Sequence, residues 1–436
     1  MNYAETVKSA LHADINEMAG HISDFVLHPG KDFTRNRKLG FSRFMDFFIS
    51  MGCDTIGHEL TKYFDHDIDA IPCNSAFCQQ QDKISEYAFS YLLRQFNSHF
   101  PMAKYKGKYY LIACDGSEFN IARNPNDPET FHEPNGKSSL GFNMLHTISL
   151  YDIPSKRYLD VVIQPGRKKN EFQAICDLID RYSYGGVPIF VADRGFASYN
   201  VFAHALENDY YFAIRAKDLD TKRLLGVSEL PDFIDTDIEV ILSRTQSRKK
   251  RIYPHRSEDY RYICSNVTFD YITPENPEYT MKLRIVRFDL GNGSFENIIT
   301  NLPQDEFPSE EIKNIYWCRW SIETSFRDLK HSIGTTNFHS KKTSHISKEI
   351  LARMILFNFC SIITMHCVTV KHGRKHLHQV NFSNAIKICH DFLRMKNSSP
   401  NIEGLINKYT LPIRPGRNYA RQHRFQLPAS FAYRFC

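Results

Sequence analysis

Between residues 107 and 217 the chain shows an order of segments that leaves few folds open. Three apolar runs come first, "KYYLIACD", "LHTISLYDI" and "YLDVVIQP". They are followed by "NEFQAICDLIDRYS", with apolar residues at helical spacing, then the short buried run "VPIFVAD", the helical "YNVFAHALEND" and a last run "YYFAIRAK". Three strands followed by helix, strand, helix, strand predict a mixed sheet with helices on its faces, an α/β fold. A long polar loop, "NIARNPNDPETFHEPNGKSS", lies between the first two strands. No internal repeat is apparent.

The flanks differ in texture. Residues 1–100 read as helical, with apolar residues at helical spacing in "FSRFMDFFISMG" and "KISEYAFSYLLRQF". Between them, "TIGHELTKYF" and "SAFCQQQDKI" suggest a helix pair. The second helix, capped by Asn74 or Ser75, would turn Gln79, Gln80, Gln81 and Lys83 outward, a polar set suited to base edges and phosphates and equally to a solvated surface. Residues 218–302 break the alternation with strand-like runs such as "DIEVILS", "RYICSNVTF" and "MKLRIVRFDL". Inside that stretch lies "SRKKRIYPHR", where Lys249 and Arg251 fit either a solvated loop or phosphate contact. Residues 303–340 carry one more helix, and 341–436 return to helices before an arginine-rich tail, "PIRPGRNYARQHRFQLPASFAYRFC".

Composition narrows the class of protein. A chain of 436 residues with 42% hydrophobic content has room for two or three domains and a sizeable core. A formal net charge of +6 permits a polyanionic partner without demanding one. The eleven cysteines form no Cys-x2-Cys pair, and the first thirty residues lack a secretory pattern, so a reducing cytoplasm is expected. Neither Cys73 with Cys78 nor Cys367 with His372, His376 and His378 has the paired spacing of a structural zinc module. The apolar stretch 350–370 is interrupted by Arg353, Asn358 and His366, which makes it a buried core helix rather than a membrane span.

Chemistry concentrates at three points. "LIACDGS" and "IFVADRG" each end an apolar run on an aspartate, Asp115 and Asp193. One such carboxylate often caps a turn; two at equivalent strand ends face the place where open α/β sheets bind ligands. The third point is "YWCRWSIETSFRDLK". At about 100° per residue, Tyr316, Arg319, Glu323 and Lys330 project at about 0°, 300°, 340° and 320°, on one face beside a stripe of Ile315, Ile322, Phe326, Leu329 and Ile333. An amphipathic helix with an incidental Arg319 and Glu323 pair at i, i+4 would look the same. Three converging carboxylates need cations between them, and oxygen donors suit two Mg²⁺ or Mn²⁺ ions of the kind used in phosphoryl chemistry.

The series "ACDGS", "VADRGF", "IITNLP" and Tyr-x2-Arg-x3-Glu-x6-Lys, spread over about 110 to 335, resembles the DDE transposases of bacterial insertion sequences, in the group with the Tyr-Arg-Glu-Lys signature. The resemblance implies an RNase H-like mixed sheet flanked by helices and interrupted by the strand-rich insertion, with helical N-terminal and C-terminal regions. It implies Asp115, Asp193 and Glu323 as the metal-binding catalytic triad, and Tyr316, Arg319 and Lys330 as holders of transposon-end phosphates. Trp320 has a place for stacking a flipped base, while Trp317 fits a core role at least as well. Further implications are two Mg²⁺ or Mn²⁺ ions, double-stranded DNA as substrate and target, a DNA-bound homodimer, a hairpin intermediate, and a bacterial cytoplasm with nucleoid association. A transposase-derived DNA-binding protein without catalysis, or a metal-dependent nuclease that never joins strands, remain the alternatives.

Overall fold

The computed structural model describes residues 2–136, 138–244, 260–291, 293–367, 376–396 and 400–414. The first hundred residues form helices α1 (Tyr3–Gly20), α2 (Phe41–Ser50), α3 (Ile56–Tyr63), α4 (Asn74–Gln81) and α5 (Glu86–Ser98). Asn2, Thr55 and Ser85 cap three of these by accepting backbone N–H bonds through their side-chain oxygens. The residue at the N-cap of α4 is Cys73, and the outward glutamine face expected there is corrected. Gln80 and Gln81 are buried, with Gln80 Nε2 donating to Leu39 O at 2.9 Å and Lys83 donating to Gln80 Oε1. They join α4 to its neighbours, which leaves Gln79 as the exposed member of the three.

The sheet follows as β1 (Tyr109–Ile121), β2 (Phe131–His132), β3 (Phe142–Asp152), β4 (Arg157–Pro165), helix α6 (Glu171–Asp180), β5 (Val187–Ala192), helix α7 (Tyr199–Glu207) and β6 (Tyr211–Ala216). β3 is antiparallel to β1 and β4, whereas β5 is parallel to β1 and β6 to β5. This is the mixed α/β sheet expected from the order of segments. β1 does not stop at Asp115, as its apolar run suggested. It continues to Ile121 along β3, because Phe119 and Ile121 supply buried positions beyond the polar Gly116–Glu118 stretch.

The strand-rich stretch opens with an unforeseen helix, α8 (Asp218–Leu225), and then adds to the same sheet. β7 (Ile234–Ser243), β8 (Tyr260–Tyr262), β9 (Glu278–Asp289) and β10 (Phe295–Thr300) extend it in the order β6-β10-β9-β7-β8. "RYICSNVTF" yields only the short β8, since the chain turns at 264–267, where Val267 N donates to Cys264 O. Lys249, Arg251 and the arginine-rich tail lie outside the described residues.

Helices α9 (Ser309–Cys318) and α10 (Trp320–Arg327) run into a π-helical turn, Asp328–Ser332. They are followed by α11 (Thr343–His366), β11 (His378–Val380), α12 (Phe382–Arg394), α13 (Ile402–Lys408) and β12 (Thr410–Pro412). α11 is buried along nearly its whole length, inside a core shared with α1, α2, α5, α12 and β4. Its buried Asn358 accepts from Tyr158 N at 2.8 Å and donates to Tyr158 O at 2.7 Å, stitching the helix to β4. No helix of the described residues is long and apolar enough to cross a membrane.

Side-chain alternation sets which face of the sheet carries which core. Tyr109 and Leu111 of β1, with Ile189 and Val191 of β5, pack with Ile312, Ile315 and Tyr316 of α9. Ile112 and Cys114, with Phe190 and Ala192, pack on the opposite face with α6 and α7. Continuing that parity, Asp115 and Asp193 fall on the face that α9 and α10 cover.

Candidate active site

The last parallel pair of β1 and β5 is Cys114 with Ala192, so the next step of the register brings Asp115 level with Asp193. Asp193 follows β5 and precedes the 3₁₀ turn Arg194–Phe196 without capping it through its side chain. That carboxylate instead accepts from the Tyr316 hydroxyl, 3.3 Å away. Asp115 does take part in its own turn, since Oδ1 accepts from Gly116 N at 2.8 Å, while Oδ2 faces Arg319. Gly116 is tightly packed: a Cβ there would lie 3.0 Å from the His146 ring and 3.1 Å from Ile148 Cδ1, so those side chains would have to give.

Arg319 stands at the joint between α9 and α10 and is only 3% exposed. Its guanidinium donates to Glu323 Oε1 at 3.0 Å and to Asp115 Oδ2 at 3.4 Å. The helical spacing that put Tyr316, Arg319 and Glu323 on one face is therefore realised, and the stripe of Ile315, Ile322, Phe326, Leu329 and Ile333 is buried beneath it. Lys330 departs from the regular helix because it lies in the π turn. Its Nζ reaches across to Glu118 O on β1 at 2.8 Å and lies over the Phe119 ring. Trp320 and Trp317 are each 48% exposed, so the expected core role of Trp317 is corrected: it lies on the outward side of α9, with Lys313 over its ring. Arg319 itself lies over the Trp320 ring, 5.1 Å from its centroid.

Electrostatics follow from this packing. Burial pushes the Asp115 carboxyl up to about 6, with Glu323 and Asp193 adding to the rise and the Gly116 N–H and Arg319 opposing it. Burial raises the Tyr316 phenol to about 12 and lowers the Lys330 ammonium. Among the described residues no three of His, Cys, Asp and Glu are closed up into a metal cage; the carboxylates close on Arg319 and Tyr316 instead. The donor set nevertheless fits a cation, because a guanidinium already lies between Asp115 and Glu323.

Sequence reasoning missed several neighbours. A cavity of about 450 Å³ opens beside Asp115 and Asp193, lined also by Glu118, His146, Lys169 and Glu171. His146 Nε2 lies 3.2 Å from Glu171 Oε1, and Lys169 bridges Glu118 and Glu171. Glu296 on β10, paired with Arg215 on β6, is close enough to Asp193 and Arg319 to feel both charges. These residues sit in ordinary strands, in a loop or, for Glu171, at the start of α6, where no spacing marks them. A larger groove of about 1080 Å³, lined by Phe172, Tyr199, Arg223 and Tyr262, holds none of the three carboxylates.

Residues 106–359 match the family described as transposase DDE domain, and the chain belongs to that family. Among individual proteins it is similar to the transposase for insertion sequence element IS231C of Bacillus thuringiensis subsp. berliner, at 22% identity over 308 residues, 64% of this chain and 63% of that protein. The chain thus spans less than two thirds of that relative's length, and the likeness bears out the resemblance to bacterial insertion-sequence transposases. It is also similar to a chain in the cryo-EM structure of the piggyBac transposase synaptic complex with hairpin DNA, at 13% identity and a TM-score of 0.39, covering 94% of this chain and 75% of that one.

Proposed function

We propose that this chain is a DDE transposase that moves an insertion sequence by cutting and pasting DNA. One observation carries the reading: Asp115, Asp193 and Glu323, far apart in sequence, meet around Arg319 and Tyr316. The strand order β4-β3-β1-β5-β6, three antiparallel strands and then two parallel to β1, supports an RNase H-like core. In this reading 101–217 and 303–340 are the two parts of that core and 218–302 is the insertion. Residues 1–100 are a DNA-binding region, and 341–436 end in a basic tail.

Asp115, Asp193 and Glu323 would hold two Mg²⁺ or Mn²⁺ ions, which when bound activate the attacking oxygen and stabilise the leaving one. Arg319 offers a phosphate bidentate geometry and Lys330 a point charge. Tyr316 donates to a phosphate oxygen, Trp320 stacks a displaced base, and Lys249 and Arg251 contact the DNA backbone. The substrates are double-stranded terminal inverted repeats and target DNA, handled by a homodimer in the bacterial cytoplasm, associated with the nucleoid. One strand is nicked at the element's end, and its 3′-hydroxyl attacks the opposite strand to form a hairpin. Hydrolysis opens the hairpin, and the same hydroxyl joins the target.

The test uses labelled DNA bearing the element's own ends with Mg²⁺, comparing wild type with Glu323→Ala. The expected result is end cleavage and strand transfer by wild type, both lost in the variant while DNA binding survives. Equal cleavage by the two proteins would move the active site elsewhere. Cleavage without joined products would leave a nuclease, and binding without cleavage by wild type a silent DNA-binding protein.

A further inference from the structure

Arg319 stands where a metal would have to go. Its two terminal nitrogens engage Glu323 Oε1 and Asp115 Oδ2, and a cation coordinating both carboxylates needs those same oxygens. Two positive groups cannot hold the same two carboxylate oxygens at once, and their mutual repulsion disfavours both being there together. Arg319 has a way to leave. It belongs to neither helix body but to the joint between α9 and α10, its Nε has no partner, and the half-exposed Trp320 ring marks the route outward. A DNA phosphate provides the incentive, since the planar fork of a guanidinium binds phosphate oxygens at least as well as carboxylates.

We propose that Arg319 is an internal counter-ion that keeps divalent metal off Asp115 and Glu323 until a DNA phosphate draws the guanidinium away. This rests on the triad reading above and adds an order of events to it: DNA first, metal second. A protein so built stays catalytically empty in free solution, where unpaired cutting would damage the host.

The test measures Mn²⁺ binding to the full chain by electron paramagnetic resonance without DNA. Arg319→Gln is expected to bind Mn²⁺ about ten-fold more tightly than wild type, an ordinary size for coupling between two ligands. Adding Glu323→Gln should abolish the gain. Equal affinity of wild type and Arg319→Gln overturns the gate and leaves the triad standing, whereas no Mn²⁺ bound by either overturns the triad as well. A second readout keeps the native arginine. The chain has two tryptophans, so in Trp317→Phe the emission reports Trp320 alone. Mg²⁺ without DNA is expected to leave that emission unchanged, whereas the element's own end DNA in metal-free buffer shifts it as the guanidinium leaves its ring; a shift with Mg²⁺ alone, or none with DNA, overturns the proposal even if Arg319→Gln fails to fold.

Discussion

The Arg319 guanidinium, almost wholly buried, donates to Glu323 Oε1 at 3.0 Å across one turn of helix while its other arm faces Asp115. Removing the cation leaves neighbouring carboxylates facing one another. Arg319→Ala is expected to lower unfolding free energy by about 2 kcal/mol, below the roughly 3–5 kcal/mol of fully buried pairs because Glu323 is 39% exposed and screened. Arg319→Lys should lose less. Urea denaturation measures both, and a variant as stable as wild type would make the contact incidental.

Asp115 gives a pH dependence of definite sign. Its carboxyl titrates near 3.8 when unperturbed and at about 6 in the folded chain. The folded state therefore holds the proton more tightly, and the stability this contributes is full below about pH 4 and lost as pH rises through about 6. Asp115→Asn should stabilise the metal-free protein by about 3 kcal/mol near pH 8 and change little in acid. Denaturation curves across that window decide it; a difference independent of pH would refute the assignment.

Gly116 is predicted to be crowded by His146. Gly116→Ala should cost about 2 kcal/mol through overpacking, because the added methyl meets the His146 ring at 3.0 Å. His146→Ala in the same chain should recover most of the loss. Thermal melts of the two single variants and the double variant test the coupling, and simple additivity would sink it.

Lys249 and Arg251 make a prediction about DNA. If both touch phosphates, the double alanine variant should reduce the salt slope of binding by about two units. An identical slope would leave the loop as solvated charge.

Legibility varied with local regularity. The Tyr316, Arg319 and Glu323 face could be read because Arg319, at the joint between α9 and α10, keeps right-handed helical backbone angles, so the periodicity carries across it. Lys330 could not be placed, since a π turn shifts it towards β1. The glutamines of α4 misled because polarity says nothing of direction when a buried carbonyl such as Leu39 O wants a donor. β1 was cut short because its polar centre, Gly116 to Glu118, looks like a turn until β3 pairs with it. His146 and Glu171 left no signal at all: a histidine in an apolar strand reads as core until the folded pocket shows its neighbours.

The pairing of β10 with β6 has a consequence for how the protein comes into being. Asp115 lies in β1 and Asp193 directly after β5, two strands that pair with each other, whereas α9 and α10, with Glu323, come after β7 to β10 in the chain. A ribosome-bound chain therefore carries two of the three carboxylates for much of its synthesis with no helix to complete them. Under the proposed triad, the growing polypeptide lacks one of its three carboxylates until its C-terminal half is made.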